Sequence, residues 1–141
     1  MVKKIGEATW KGPLVGGEGV LSLGDGSSTA KQRFTLSYEQ GQGTNPEEML
    51  GAAQAGCFSM VLSMELSNAG YKVEEINTKA VITVDQGEAG YGITDIKLVT
   101  HAKVQDIDIE AFSKFADKAK GICLITKALS SVETQLEANL A

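Results

Sequence analysis

Apolar and polar residues alternate over the first 40 positions, a pattern typical of short β-strands. Three such segments are predicted, at 5–10, 20–23 and 31–38. In the third segment Phe34 lies on the apolar face, whereas Arg33 lies on the opposite, polar face. Arg33 is therefore expected to point away from the core.

A long amphipathic helix is predicted next, beginning at Pro46 and ending near Gly70. Asn45 can cap this helix, proline suits its first position, and two glutamates lie in the first turn, where the helix dipole favours them. Small residues over 51–56 make the first half thin, which indicates that another backbone packs closely there. The apolar stripe, at spacings of three and four, comprises Met49, Leu50, Ala53, Cys57, Val61, Leu62 and Leu66.

The second half of the chain contains further strands and helices. β-Branched residues alternate over 76–84 and 91–104, which predicts a hairpin. The elements expected after it are a second amphipathic helix at 108–121, a short helical turn through Leu129, and a last strand at 131–136. The order β-β-β-α-β-β-α-β predicts an α+β fold with strongly bent antiparallel sheets around a long central helix.

The 141-residue chain has the composition of an ordinary globular protein, with 43% hydrophobic and 22% charged residues. Its length predicts a single domain covering residues 1–141. A net charge of −5 argues against binding to nucleic acid or anionic lipid, since both need a basic face. The N-terminus lacks the apolar stretch of a secretory signal, and the uncharged run 49–64 is too short and too polar to span a bilayer. A cytoplasmic protein without membrane contact is therefore expected.

Two cysteines, Cys57 and Cys123, are the scarcest chemically informative residues. With one histidine, they are too few for a disulfide scaffold or a usual structural zinc site, and no metal or other cofactor is expected. In a reducing compartment a cysteine pair is more often catalytic or redox-active than a permanent crosslink. Cys123 follows a helix end, where a thiol can be accessible. Each thiol also has a simpler interpretation as a small buried core residue, because spacing alone does not bring the two together.

Arg33 is the only arginine in the chain and the candidate cation beside a thiolate. Its planar guanidinium can pair with a carboxylate while it holds a thiolate, which would lower the pKa of the thiol. The alternative interpretation is a solvated surface residue. Glu47 and Glu48 are most simply explained as residues of a helix start.

The run GTNPEEMLGAAQAGCFSM at 43–60 resembles the signature of the OsmC/Ohr family, which comprises osmotically inducible protein C and the organic hydroperoxide resistance proteins. The resemblance covers nearly the whole chain and is closer to the OsmC branch. Its other segments are 8–12, Arg33-Phe34, 89–94 and 119–123.

This resemblance implies a thiol-dependent peroxidase that reduces organic hydroperoxides to alcohols without metal or flavin, in peroxide or osmotic stress. By position, Cys57 matches the peroxidatic cysteine, which becomes a sulfenic acid, and Cys123 matches the resolving cysteine, which closes the disulfide. Arg33 matches the family's arginine, and Glu47 matches the glutamate that holds it. The family fold is an intertwined homodimer with two sites at its interface, and the preferred reductants are dithiols of the lipoyl type.

The chain departs from the family pattern at two places. Leu124-Ile125-Thr126 follows Cys123 where members commonly have Pro-Val-Ser, so a looser loop and slower resolution are expected. Family members frequently have alanine or histidine where this chain has Gln54, and alanine where it has Gly56. Both are expected to be tolerated because they keep the helix thin.

Helix geometry independently favours a dimer. Glu47 and Cys57 are ten residues apart, which is about 15 Å along one continuous helix. Either the helix is broken between them, or the groups that serve the Cys57 thiol come partly from a partner chain. The partner chain is the preferred interpretation.

Two other classes of function stay open. The fold could serve as a small-molecule or acyl-binding module, or as a stress-related redox module with little peroxidase turnover. It could also be a structural dimer with inert buried cysteines. Met49, Phe58, Met60 and Met64 could line a substrate pocket, although a methionine stripe at helical spacing is usually core. His101 is expected to face solvent and is given no role.

Overall fold

The computed structural model describes residues 1–24 and 43–141 in full, and the backbone of residues 32–34. The chain divides into two compact units, Met1–Met49 and Leu50–Ala141. The single domain over residues 1–141 stays a prediction.

The first unit contains a three-stranded antiparallel sheet. Its strands are β1 (Gly6–Lys11), β2 (Glu18–Leu23) and β3 (Gln32–Phe34), in that spatial order. Gly17 lies at the β1–β2 connection, where an added Cβ would collide with the Pro13 carbonyl oxygen. Only glycine fits at this position, because the backbone here passes too close to the preceding turn to leave room for a side chain. The three predicted strands are confirmed, although the third is described only over its first part.

Helix α1 (Pro46–Asn68) follows and is continuous over 23 residues. Asn45 caps it as predicted, since the Asn45 Oδ1 accepts the Glu48 N–H at 2.8 Å. At the other end Gly70 adopts φ 92, the left-handed conformation that ends a helix and favours glycine. The predicted bounds of the long helix are confirmed.

The second unit is built on a mixed sheet of three strands. Its members are β4 (Val73–Gly87), β5 (Gly90–Val104) and β6 (Thr134–Leu140), in that order. The hairpin β4–β5 is antiparallel as predicted, whereas β6 pairs with β5 in parallel. The expectation of only antiparallel sheets is therefore wrong for this pair, and the last strand begins three residues later than predicted. A parallel pair needs a long crossover, which the intervening helices supply.

The crossover helices are α2 (Ile109–Ile122) and α3 (Leu124–Ala128). Asp108 caps α2 by accepting the Ala111 N–H at 2.8 Å. Helices α1 and α2 share one hydrophobic core with β5, and this core contains Phe58, Leu62, Leu66, Leu98, Ala102, Phe112, Ala116, Ala119 and Cys123. The α+β class is confirmed.

The two faces of α1 differ strongly. The residues buried on its inner face are Gly51, Gln54, Ala55, Phe58, Leu62 and Leu66. Ala53, which the predicted stripe included, is exposed, so the true stripe is rotated towards Gln54 and Phe58. On the outer face Met60 is 75% and Met64 is 48% exposed.

By length and composition alone, α1 is the one helix among residues 1–24 and 43–141 that could cross a membrane. A core helix passes the same test, and the inner face of α1 is packed into the core of the second unit.

Candidate functional site: the Cys57–Cys123 pair

Cys57 lies on α1 at the border between its buried and exposed faces. The residue is half-buried, its thiol is free, and its side chain packs against the core cluster that contains Cys123. The following residue, Phe58, is fully buried and fixes the rotation of the helix about its axis. The fold therefore places one side of the Cys57 side chain against Cys123 and leaves part of it open to solvent.

Cys123 is fully buried between α2 and α3. Its backbone N–H donates to the Ala119 carbonyl at the end of α2, and its carbonyl accepts the Lys127 N–H of α3. The expectation that this boundary makes the thiol accessible is wrong, because the two helices close around it. The simpler interpretation of Cys123 as a buried core residue is confirmed. This core residue is also in contact with a second thiol, that of Cys57.

The surroundings of Cys123 favour its ionised form. Burial raises the pKa of the Cys123 thiol, but polar groups outweigh this effect and the net pKa lies below the ordinary value of 9.0. These groups are the Thr126 N–H and hydroxyl, the Cys57 thiol and the Ile125 N–H. Cys123 occupies the N-cap position of α3, and its side chain makes no cap hydrogen bond. The N–H groups of the first turn therefore act on the sulfur through their dipoles.

A buried carboxamide continues this polar cluster. Gln54 is fully buried on the inner face of α1, and its Nε2 donates to Thr126 Oγ1 and to Thr134 Oγ1, both at 3.1 Å. The Gln54 Oε1 has no hydrogen-bond partner. Three elements, α1, α3 and β6, thus meet at one side chain, and the segment after Cys123 is held rather than loose.

A second polar chain lies one turn further along α1. The Ser59 hydroxyl donates to Thr78 Oγ1 at 2.8 Å, and Thr78 bonds to Thr100 Oγ1 at 2.9 Å. Thr100 in turn donates to the Asn77 carbonyl at 3.2 Å. These bonds fasten α1 to the β4–β5 hairpin without involving either cysteine.

The two other predicted site residues belong to the first unit, and their role beside the thiols stays a prediction. Arg33 is opposite Val20 in the β2–β3 register, and its side chain lies outside the described residues. Glu47 is half-buried in the first turn of α1, ten residues before Cys57. Glu48, taken as a helix-start residue, accepts the Thr44 hydroxyl at 2.9 Å.

The apolar residues considered for a pocket fall into different classes. Phe58 is core, Met49 is half-buried, and Met60 and Met64 are exposed. The interpretation of the methionine stripe as core is therefore wrong for its last two members. His101 is exposed on β5, as predicted.

Residues 1–24 and 43–141 contain no group of three histidine, cysteine or acidic side chains that could hold a metal ion. Their chemistry at this site is that of two thiols and the hydroxyl, amide and N–H groups around them.

The family model for OsmC-like proteins matches residues 39–137, which include Cys57, Cys123 and most of their surroundings. The chain belongs to the OsmC-like family. Peroxiredoxin OsmC of Escherichia coli strain K12 is 37% identical over 131 residues, 92% of each chain. The organic hydroperoxide resistance protein OhrA of Bacillus subtilis strain 168 is 31% identical over 96 residues, 67% of this chain and 66% of OhrA.

Solved structures share the OsmC-like fold. An OsmC-like protein from Mycoplasma pneumoniae superposes with a TM-score of 0.81 at 14% identity, covering 99% of this chain and 98% of the other. The organic hydroperoxide resistance protein OhrB of Bacillus subtilis gives 0.71 at 20% identity, covering 97% and 98%. At these identities the likeness concerns the fold.

Sequence reasoning missed the polar neighbours of Cys123. The sequence predicts only that Gln54 is tolerated because it keeps the helix thin, yet Gln54 is a fully buried hydrogen-bond donor. The available signal was a polar side chain four residues before the core residue Phe58, on the face that α1 buries. Thr126 and Thr134 carry no comparable signal, because only the tertiary fold brings them to Gln54.

Proposed function

We propose that this protein is a cysteine-based peroxidase that reduces organic hydroperoxides to alcohols. The observation that carries the proposal is the contact between two reduced thiols of unequal exposure, Cys57 at the surface and Cys123 beneath it. Membership of a family that includes a peroxiredoxin and hydroperoxide resistance proteins supports the same chemistry.

The first step belongs to Cys57. Its thiolate attacks the distal peroxide oxygen, the O–O bond breaks, and the leaving alkoxide takes a proton to become the alcohol. Cys57 is thereby oxidised to a sulfenic acid. Its partial exposure supports this role, because a bulky hydroperoxide must reach the sulfur.

Cys123 carries out the second step. Its thiolate attacks the Cys57 sulfur, a disulfide forms, and the sulfenic hydroxyl leaves as water after taking a proton. A dithiol, by preference of the lipoyl type, then reduces the disulfide by two exchange reactions and is itself oxidised to a disulfide. The lowered pKa of Cys123 supports its part, since the thiolate is the attacking form.

We place activation of Cys57 in a homodimer. Helix α1 is continuous, so a break does not shorten the distance of about 15 Å along its axis between Glu47 and Cys57. Arg33 and Glu47 of a second copy would then stabilise the Cys57 thiolate, with Glu47 orienting the guanidinium. The exposed outer face of α1, with Met60 and Met64, supports a second copy packing there.

The cell compartment is proposed to be the cytoplasm, where both thiols return to the reduced state between turnovers. No nucleic acid, membrane, metal or flavin takes part in the proposed cycle.

A turnover assay with a bulky organic hydroperoxide and a dithiol donor tests this function. Cumene hydroperoxide should be consumed through several cycles, and Cys57→Ser should abolish its consumption. Ser59→Ala, two residues away on α1, is the matched control and should retain turnover. Activity that survives Cys57→Ser would overturn the assignment of the nucleophile. Stable binding of an apolar ligand with negligible turnover would instead favour a binding module.

A further inference from the structure

We propose that Gln54 is a positioning residue for Cys123, acting through the Thr126 hydroxyl to present that sulfur as the resolving thiolate. This role rests on the proposed function, because it concerns the second step of the cycle. It assigns a task to a side chain whose hydrogen bonds go to Thr126 and Thr134.

The geometry places Gln54 at the end of a chain of polar groups. Its Nε2 donates to Thr126 Oγ1 at 3.1 Å, and Thr126 stands three residues after Cys123, in the first turn of α3. Thr126 is the third residue of the helix that Cys123 caps, so its side chain lies on the turn next to Cys123. The Thr126 hydroxyl is also one of the groups that lower the pKa of the Cys123 thiol. Gln54 also donates to Thr134 Oγ1 at 3.1 Å, which fixes the carboxamide between α3 and β6.

The donor and acceptor roles order these hydrogen bonds from Gln54 through Thr126 towards Cys123. A hydroxyl has one proton to donate, and its oxygen can accept at the same time. Because Gln54 donates to Thr126 Oγ1, the Thr126 proton is free to point to the Cys123 sulfur. A hydroxyl that accepts a hydrogen bond is also a stronger donor. The arrangement therefore favours the thiolate over the thiol at Cys123.

The unpartnered Gln54 Oε1 distinguishes this role from simple packing. It is a buried acceptor without a hydrogen bond, a costly feature that an apolar side chain of similar size would remove. Stability alone does not account for a carboxamide here. The donor end, which makes both of its hydrogen bonds, is the part that the site uses.

The consequence for the reaction is confined to resolution. Cys123 supplies the electron pair for the S–S bond while the S–O bond of the Cys57 sulfenic acid breaks and the hydroxyl leaves as water. A larger thiolate fraction at a fixed sulfur position speeds this step. Attack of Cys57 on the peroxide precedes it and does not involve Gln54.

The first test measures the Cys123 pKa without any peroxide. In a Cys57→Ser background, the Cβ chemical shift of isotope-labelled Cys123 is followed as the pH rises. Gln54→Met, which keeps the volume but removes the donor, should move the midpoint upward, and Thr126→Val should do so as well. Thr126→Ser keeps the hydroxyl and should restore the midpoint. Ser59→Ala, which loses a hydrogen bond on the same helix, should leave it unchanged.

The double variant Gln54→Met/Thr126→Val shows whether Gln54 acts through Thr126 or whether the two residues act on Cys123 independently. If Gln54 acts through Thr126, adding Gln54→Met to Thr126→Val should shift the midpoint no further than Thr126→Val alone. Additive shifts, or an unchanged midpoint in a folded Gln54→Met protein, would overturn the proposal. Thermal unfolding of each variant establishes that the fold is retained.

The second test is kinetic and uses the full chain with both cysteines. At a pH below the Cys123 midpoint, Gln54→Met should slow disulfide formation about fivefold, the size expected when one neutral hydrogen bond is lost. The rate of sulfenic acid formation at Cys57 should stay at the wild-type value. Slowing of both steps alike would contradict a role confined to resolution. If no peroxide reacts with the wild-type protein, the proposed function fails, whereas the titration still decides whether Gln54 acts through Thr126.

Discussion

At the scale of single residues, the two cysteines are distinguished by burial. Cys57 is half-buried on α1, and Cys123 is fully buried with a pKa held below its ordinary value. A substrate can approach the first thiol, whereas the second is reached only through the first or by local opening. In the proposed cycle, this arrangement would protect Cys123 from direct oxidation and leave it available to resolve a sulfenic acid at Cys57.

Replacement of the buried thiol should separate oxidation from turnover. Cys123→Ser should still consume one equivalent of hydroperoxide per site, because Cys57 is intact, but should not cycle with a dithiol at the wild-type rate. Rapid mixing followed by trapping of the sulfenic acid measures the first event, and steady-state assays measure the second. Multiple turnover at the wild-type rate would remove Cys123 from the mechanism.

The lowered pKa of Cys123 also predicts a pH dependence of folding. The folded protein releases this proton at a lower pH than the unfolded chain, so the unfolded chain binds more protons in the window below the ordinary value of 9.0. The free energy of unfolding should therefore rise with pH there. The contribution is fully present above 9.0 and is lost as the pH falls through the folded-state pKa. Urea unfolding of the reduced protein measures it, and a pH slope equal to that of Cys123→Ser would contradict it.

Both thiols could be identified as candidates from the sequence, but the groups that surround them could not be predicted. Cys57 and Cys123 stand out because the chain has no other cysteine and because of the motif around residue 57. The polar groups beside Cys123 could not be predicted, since Gln54 and Thr126 are 72 residues apart and meet only through tertiary packing. Arg33 and Glu47 stay predictions derived from the motif.

At the scale of elements, α1 has one face in the core and one face open. Gly51 lies against β4, where an added Cβ would stand 3.2 Å from Ile82 Cγ1 and 3.4 Å from Ala80 Cβ. Gly56 lies on the open side, with nothing within 4 Å. The thin first half predicted from the sequence therefore has its close backbone approach at Gly51 and not at Gly56.

Alanine at these two glycines should have different effects. In the Met60→Lys background, which keeps the proposed dimer face open, Gly56→Ala should raise the free energy of unfolding by about 0.5–1 kcal/mol, because alanine is the better helix former and meets no atom of its own chain. Gly51→Ala should not show this gain, since Ile82 must move to make room. Chemical denaturation of both variants at one pH measures the difference. Equal gains would show that α1 does not pack tightly on β4.

The elements themselves could largely be predicted, and the pairing of the last one could not. Capping residues and periodicity determine local structure, which is why Asn45 and Asp108 begin their helices where expected. The parallel pairing of β6 with β5 depends on where the α2–α3 crossover returns the chain. No local pattern encodes that direction.

At the scale of the whole molecule, the exposed face of α1 is the feature that a monomer does not explain. Met60 and Met64 lie four residues apart on it, on the side opposite the core. Two such apolar faces can cover each other in a symmetric dimer, because the same residues then meet across the axis. The proposed supply of Arg33 and Glu47 from a second copy requires an assembly of this kind.

A charge on this face should break the dimer and leave the fold intact. Met60→Lys should shift the molar mass measured by light scattering towards the monomer, with unchanged circular dichroism and at least a tenfold loss of peroxidase activity. Ile109→Lys, at a 54% exposed apolar residue on α2, is the matched control and should remain dimeric and active. A fully active Met60→Lys monomer would contradict the supply of site residues from a second copy.

The central claim is that Cys57 and Cys123 form a peroxide-driven redox pair. Intact-mass analysis of the reduced protein after one equivalent of cumene hydroperoxide, combined with thiol alkylation, tests it most directly. The expected product has lost two hydrogens and both alkylatable thiols and contains a disulfide that joins Cys57 to Cys123. A dithiol should restore the reduced protein. Two thiols that stay free after peroxide treatment would contradict it.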